Sequence, residues 1–206
     1  MGNLVLFGPI CKGMRELRGG AAPGYSSHPM SDESLLPILL VPDKRLRTKT
    51  RAVSNADLDT VRELAPRMLA TMYKAPGIGL AAPQVGVMLR MAVVDIQKDD
   101  KQDPMVLINP EIVAQSSELA TREEGCLSLP NQYAEVTRPA RIKLRWLALD
   151  GSRKEMEADD LLATCIQHEL DHLDGVLFVD HISALKRNML LRKLAKELKN
   201  KARDEA

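Results

Sequence analysis

A chain of 206 residues, 45% of them hydrophobic, can bury one substantial core without disulfide support. Its 29 basic and 28 acidic side chains nearly cancel, and one Trp, three Tyr and two Phe leave few rings to stack on bases, which argues against a sequence-specific nucleic-acid binder. No apolar run approaches the roughly 18 residues of a membrane-spanning helix, and three cysteines without framework spacing suit a reducing compartment, so a soluble intracellular protein is expected.

Residues 1–30 are rich in Gly and Pro, lack sustained periodicity, and carry three basic residues against one acidic. They read as a poorly ordered N-terminal extension, or as a misread start upstream of Met30. Their arginines bear a weak likeness to a transit peptide, so an organellar address enters only if this segment acts as one; otherwise the cytoplasm is expected. Residues 31–206 are expected to form a single domain.

In NADLDTVRELAPRMLATMYKAP, residues Leu58, Val61, Ala65, Met68, Leu69 and Met72 recur at helical spacing, and Pro66 is expected to kink the helix. LRMAVVDI, PMVLINPEIV and YAEVTRPARIKLRWLAL read as strands from their alternation and β-branched content. Asp150-Gly151 signals a hairpin into SRKEMEA. Asp159 or Asp160 is placed to cap the next helix, which ends at Gly175. A last helix after Ser183 is expected to pack through Leu185, Met189, Leu194 and Leu198. Strands in a block between helices indicate α+β, with antiparallel strands packed around a central helix and a further C-terminal helix.

That central helix reads CIQHELDHLDG. At about 3.6 residues per turn, His168 and His172 share one side, one turn apart, while Glu169 lies roughly 100° round. Two imidazoles on one ion with a carboxylate beside the bound water is the H-E-x-x-H arrangement; the alternative is a solvated helix. A catalytic centre needs a third protein ligand and an open position. A third histidine further along is excluded, because Phe178 occupies the place where it would stand. Glu197 sits in what reads as a solvated helix face. Cys165 is about 10 Å along the axis from His172 and reads as packing. Cys11 and His28 fall in the extension, and His181 lies beyond the helix-ending glycine. Cys126, in EEGCLSLP, is the remaining candidate, although taken alone it reads rather as a cysteine buried in a strand.

GIGLAAPQ at 77–84, EGCLS at 124–128 and QHELDH at 167–172 resemble the three motifs of bacterial peptide deformylases, in the same order and at comparable spacing, over roughly residues 35–203. The resemblance implies that Cys126, His168 and His172 bind one divalent metal ion, Fe2+ natively with Zn2+, Ni2+ or Co2+ as substitutes, and that Glu169 is the acid–base residue. It further implies that the Gln84 amide and the Leu127 N–H stabilise an oxyanion. Ile78, Gly79 and Gly125 would offer backbone groups to substrate, and Ile78, Leu161 and Cys165 would line a methionine pocket. The implied substrate is the N-formylmethionine end of nascent peptides, and the implied activity is hydrolytic release of formate. Rival readings are an H-E-x-x-H endopeptidase and a non-catalytic module with a structural metal. The basic C-terminal segment, with eight basic against three acidic residues from Lys186 to Ala206, suggests docking on the ribosome near the exit tunnel, a suggestion the resemblance also carries.

Overall fold

The computed structural model describes residues 35–204. Helix α1, Leu58–Lys74, buries Val61, Leu64, Ala65, Met68, Leu69 and Met72, so the stripe read from the sequence is the packed one, widened by Leu64 and with Leu58 only partly covered. The helix runs on through Pro66, which lies away from the most buried line and has no N–H to give to the ladder. Ser54 and Asp57 form a capping box just ahead of it, and Arg51 clamps the Asp57 carboxylate at 2.6 and 2.8 Å.

Five antiparallel strands form the main sheet in the order β1-β2-β3-β6-β7: β1 Gly79–Ala81, β2 Met91–Val94, β3 Met105–Gln115, β6 Arg141–Leu147 and β7 Arg153–Asp159. Strands β4, Leu119–Cys126, and β5, Leu129–Pro139, make a separate two-stranded ribbon. The turn at Asp150-Gly151 joins β6 to β7 as expected, with Gly151 at φ +81°. The single run YAEVTRPARIKLRWLAL is in fact two strands in two sheets, divided at Ala140, whose N–H still bonds to Glu118 O at 2.8 Å, one step past the ribbon's last pair, Leu119↔Pro139. Side-chain alternation continues across the break, which is why the sequence shows no seam. Strands β1 and β4 were not expected: β1 has three residues, all buried, and β4 is polar over most of its length.

Helix α2, Asp160–Leu173, lies between the sheet and the ribbon. One side packs with Val94, Leu107, Ile142, Leu144 and Ala158 of the sheet. Asp159 holds the N-cap position without a side-chain cap bond, so the expected cap is not made; Asp160 instead pairs with Arg122 of β4. The other end closes as a Schellman motif: Gly175, at φ +76°, donates to His172 O at 3.2 Å and Val176 donates to Asp171 O at 2.9 Å. Thr50 adds two donors, its N–H and Oγ1, to the last free carbonyl, Leu173 O. A side chain at Gly175 would strike the Arg47 backbone.

Helix α3, Ala184–Asp204, corrects an expectation. Leu194 is buried against Cys126, Leu129, Val136 and Phe178, and Leu190, Leu191 and Leu198 pack beside it. Leu185 and Met189 are 75% and 63% exposed. At about 100° per residue, Leu185 and Leu194 stand half a turn apart and cannot share a face. Among the described residues no helix is long and apolar enough to cross a membrane.

Candidate metal and catalytic site

The ribbon and α2 meet where their motifs lie. Strand β4 pairs regularly with β5 as far as Gly125↔Tyr133, then slips, so that Cys126 pairs with Leu129. A Cβ at Gly125 would collide with the Tyr133 ring at 2.6 Å; the glycine allows the close approach that precedes the slip. Cys126 thereby reaches α2, with its Sγ 3.1 Å from His172 Nε2. One donor atom from each of Cys126, His168 and His172 lies within 4.8 Å of the others, and all three residues are buried. The two imidazoles stand edge to face with centroids 5.0 Å apart, and Phe178 stacks on His168 at 6.2 Å.

The donor chemistry suits a borderline-soft divalent cation: one sulfur and two imidazole nitrogens, three ligands rather than four among the described residues, all of them buried. His168 is oriented for it. Its Nδ1 lies 2.9 Å from Glu124 Oε2, a carboxylate–histidine contact that turns Nε2 toward the cluster. Glu124 is itself gripped by Arg138 through Nε–Oε1 at 2.6 Å and Nη2–Oε2 at 3.0 Å. Burial works against the charged form of His168, but Cys126 and Glu124 outweigh it and hold the imidazole well above its usual range. Burial, reinforced by His168, pushes His172 well below.

Glu169 follows His168 on α2 and is fully enclosed; Oε2 has no hydrogen-bond partner among the described residues. Burial pushes its carboxyl up to about 7, placing it where a group can both take and return a proton near neutrality. It lies directly over β1. A Cβ on Gly79 would run into the Glu169 carboxylate and come within 2.9 Å of Cys165 Sγ, so this position tolerates no side chain without displacing the acid. Gln84 points the other end of its amide at the cluster: Oε1 accepts from Ala81 N at 2.8 Å, leaving Nε2 facing Ser128 Oγ at 3.2 Å and Cys126 Sγ at 3.6 Å.

The structure also gathers the remaining residues named from the sequence. Ile78, Leu127 and Leu161, all partly exposed, pack on the cluster containing Cys165, which is buried with its sulfur 3.5 Å from Ile78 O. The Ile78 carbonyl is already engaged by Asp95 N–H at 2.8 Å. Strand β1 is the edge of its sheet and β4 pairs only with β5, so both present a strand edge beside Cys126. His181 is bound to Asp171 at 2.7 Å and Glu197 to Gln132 at 3.0 Å, and neither joins the cluster. Cys11 and His28 lie outside the described residues. Sequence reasoning missed Glu124, Arg138, Asp171 and Ser128. Glu124 had a usable signal, standing two residues before Cys126 in a strand; Arg138 had none, since its partners are remote in the chain.

The chain is similar to known proteins over most of its length. Residues 35–188 match the family described as polypeptide deformylase. The chain is 53% identical over 171 residues to a peptide deformylase of Zymomonas mobilis, covering 81% of this chain and 96% of that one. It is 49% identical over 169 residues to one of Agrobacterium fabrum, covering 82% and 99%. The crystal structure of a Legionella pneumophila peptide deformylase superposes with TM-score 0.76 at 44% identity over 82% of this chain and 98% of that one. An Ehrlichia chaffeensis peptide deformylase in complex with actinonin gives TM-score 0.74 at 38% identity, covering 79% and 97%. The chain belongs to the polypeptide deformylase family, metal-dependent hydrolases that remove the formyl group from newly made polypeptides.

Proposed function

We infer that Cys126, His168 and His172 hold the metal, that Glu169 moves the proton, and that the Gln84 amide and the Leu127 N–H receive the developing negative charge as the formyl group leaves methionine. The observation that carries this reading is the three-donor cluster with one enclosed carboxylate immediately beside it, whose Oε2 has no hydrogen-bond partner among the described residues. When bound, a divalent cation supplies a Lewis acid that lowers the pKa of water toward neutrality and polarises a carbonyl. Glu169 accepts the proton of the attacking water and returns it to the departing amine, a poor leaving group until protonated. Gln84 is preset for its part, because the Ala81 contact fixes which end of the amide donates. The products are formate and a free N-terminal methionine.

The methionine side chain fits the apolar surface of Ile78, Leu161 and Cys165, and the peptide backbone pairs with Ile78, Gly79 and Gly125 as an added strand between β1 and β4. Iron(II) is the proposed native ion; zinc, nickel and cobalt suit the same sulfur–nitrogen set, and the ion found after purification reflects supply as well as affinity. Residues 31–206 act as one domain, located in the cytoplasm. The basic residues of α3 dock on the ribosome near the exit tunnel, through phosphate contacts that salt weakens.

The test compares formyl-Met-Ala-Ser with acetyl-Met-Ala-Ser, using the metal-loaded chain. Formate release confined to the first peptide is expected. Cleavage of internal peptide bonds would indicate an endopeptidase, and inertness with metal retained would indicate a structural metal.

A further inference from the structure

The three donors come from two elements that, among the described residues, share no backbone hydrogen bonds: Cys126 ends β4, and both histidines are on α2. One buried cation spans the gap. Arg138 of β5 has a side chain only 6% exposed, and all three of its guanidinium nitrogens are engaged. Nε and Nη2 take both oxygens of Glu124, two residues before Cys126 and itself bonded to His168 Nδ1. Nη1 takes Asp171 Oδ2 at 2.8 Å, and Asp171 lies between the two histidines on the same turn of α2. His181 Nε2 meets that same oxygen, Asp171 Oδ2, at 2.7 Å. Arg138 therefore grips the cysteine-bearing strand with one edge of its fork and the histidine-bearing helix with the remaining nitrogen. A planar, always-charged guanidinium can do this; an ammonium, a single point with no fork, cannot.

We propose that Arg138 is a positioning residue that sets the spacing between Cys126 and the His168/His172 pair, and so preorganises the metal centre before any ion arrives. The proposal rests on the reading of these three residues as ligands. Glu124 and Asp171 are the two handles, and His181 holds the outer one in place. Each grip has its own part: without the Glu124 contact the His168 ring loses its orienting partner, and without the Asp171 contact the turn of α2 that bears both histidines loses its ion pair to the ribbon.

The experiment measures Zn2+ affinity of the full chain by chelator competition, and the visible ligand-field spectrum of the Co2+-loaded chain, with folding followed by circular dichroism. Wild type is expected to bind both ions with a cysteine-to-cobalt charge-transfer band; absence of binding would overturn the ligand reading itself, and the proposal with it. Arg138→Met is expected to bind Zn2+ about 10–100-fold more weakly, with a shifted Co2+ spectrum. Arg138→Lys, which keeps the charge and loses the fork, is expected to stay near the Met variant; full rescue by Lys would overturn the proposal in favour of charge alone. The double variant Glu124→Gln/Arg138→Met leaves neither charge of that pair buried and is expected to bind as weakly as Arg138→Met. Should Arg138→Met fail to fold, Asp171→Asn, near-isosteric and at a partly exposed position, is expected to weaken Zn2+ several-fold with a native dichroism spectrum. Unchanged affinity and an unchanged cobalt spectrum in any of these folded variants overturns the assignment.

Discussion

Helices α2 and α3 are opposite solutions to the same problem of packing one helix on this fold. Of the 14 residues of α2, ten are buried, among them Gln167, His168, Glu169 and His172; of the 21 in α3, only Leu194 is. A helix enclosed on all sides by a sheet and a ribbon must find a partner or a purpose for every polar group it carries, because unpaired burial is costly. Gln167 bonds to Pro139 O and Ala163 O, His168 to Glu124, and Asp171 to Arg138 and His181. Among the described residues Glu169 Oε2, on the turn of the two histidines, is left without a partner. By contrast, α3 holds on by one line of leucines and spends the rest of its surface on solvated charge. Chemistry is built into the first helix and attachment into the second.

The sharpest test of that contrast is on α2 itself. Glu169→Ala is expected to retain stoichiometric metal while kcat on formyl-Met-Ala-Ser falls by about 10²–10⁴-fold, since it removes the proton carrier and no ligand; undiminished turnover would show that the enclosed carboxylate has no chemical part. Gly79→Ala acts on the same carboxylate from across the cleft. The added methyl displaces it, so kcat is expected to drop about tenfold or more with little change in metal content, measured beside wild type. On α3 the expected effects are of another kind. Leu194→Ala should lower unfolding free energy by about 2–5 kcal/mol in urea melts and leave kcat on the short peptide near wild type at 25 °C. If it instead abolished turnover of folded protein, the two helices would not be separable. The smallest effect is expected from Leu185→Ser/Met189→Ser, within about 0.5 kcal/mol of wild type, because both side chains face solvent.

Much of the α2 story was legible from residue spacing. Two histidines four apart with an intervening glutamate fix a shared face, and the glycine at 175 ends the helix as the αL conformation requires. Cys126 was not decidable from its own surroundings, because a thiol in a strand reads as packing until the slip at Gly125 is seen; the resemblance of three motifs named it. The Arg138 grip was invisible, since it joins residues 14 and 33 positions apart with no periodic signature. For α3 the error was one of phase: Leu185 and Met189 are regularly spaced between themselves, and only the position of the ribbon decides that Leu190, Leu191, Leu194 and Leu198 form the packed line. The division at Ala140 was hidden for a related reason, as two strands that keep one alternation look like one.

The cap on α2 also bears on how the chain folds. Thr50 reaches Leu173 O across 123 residues of sequence, and Gly175 seats against the backbone of Arg47. During synthesis the capping segment leaves the ribosome early and must stay open until the helix it closes has followed it out. The helix cannot be capped until residue 173 has been made, and a closure spanning so much of the chain adds to the contact order that slows folding.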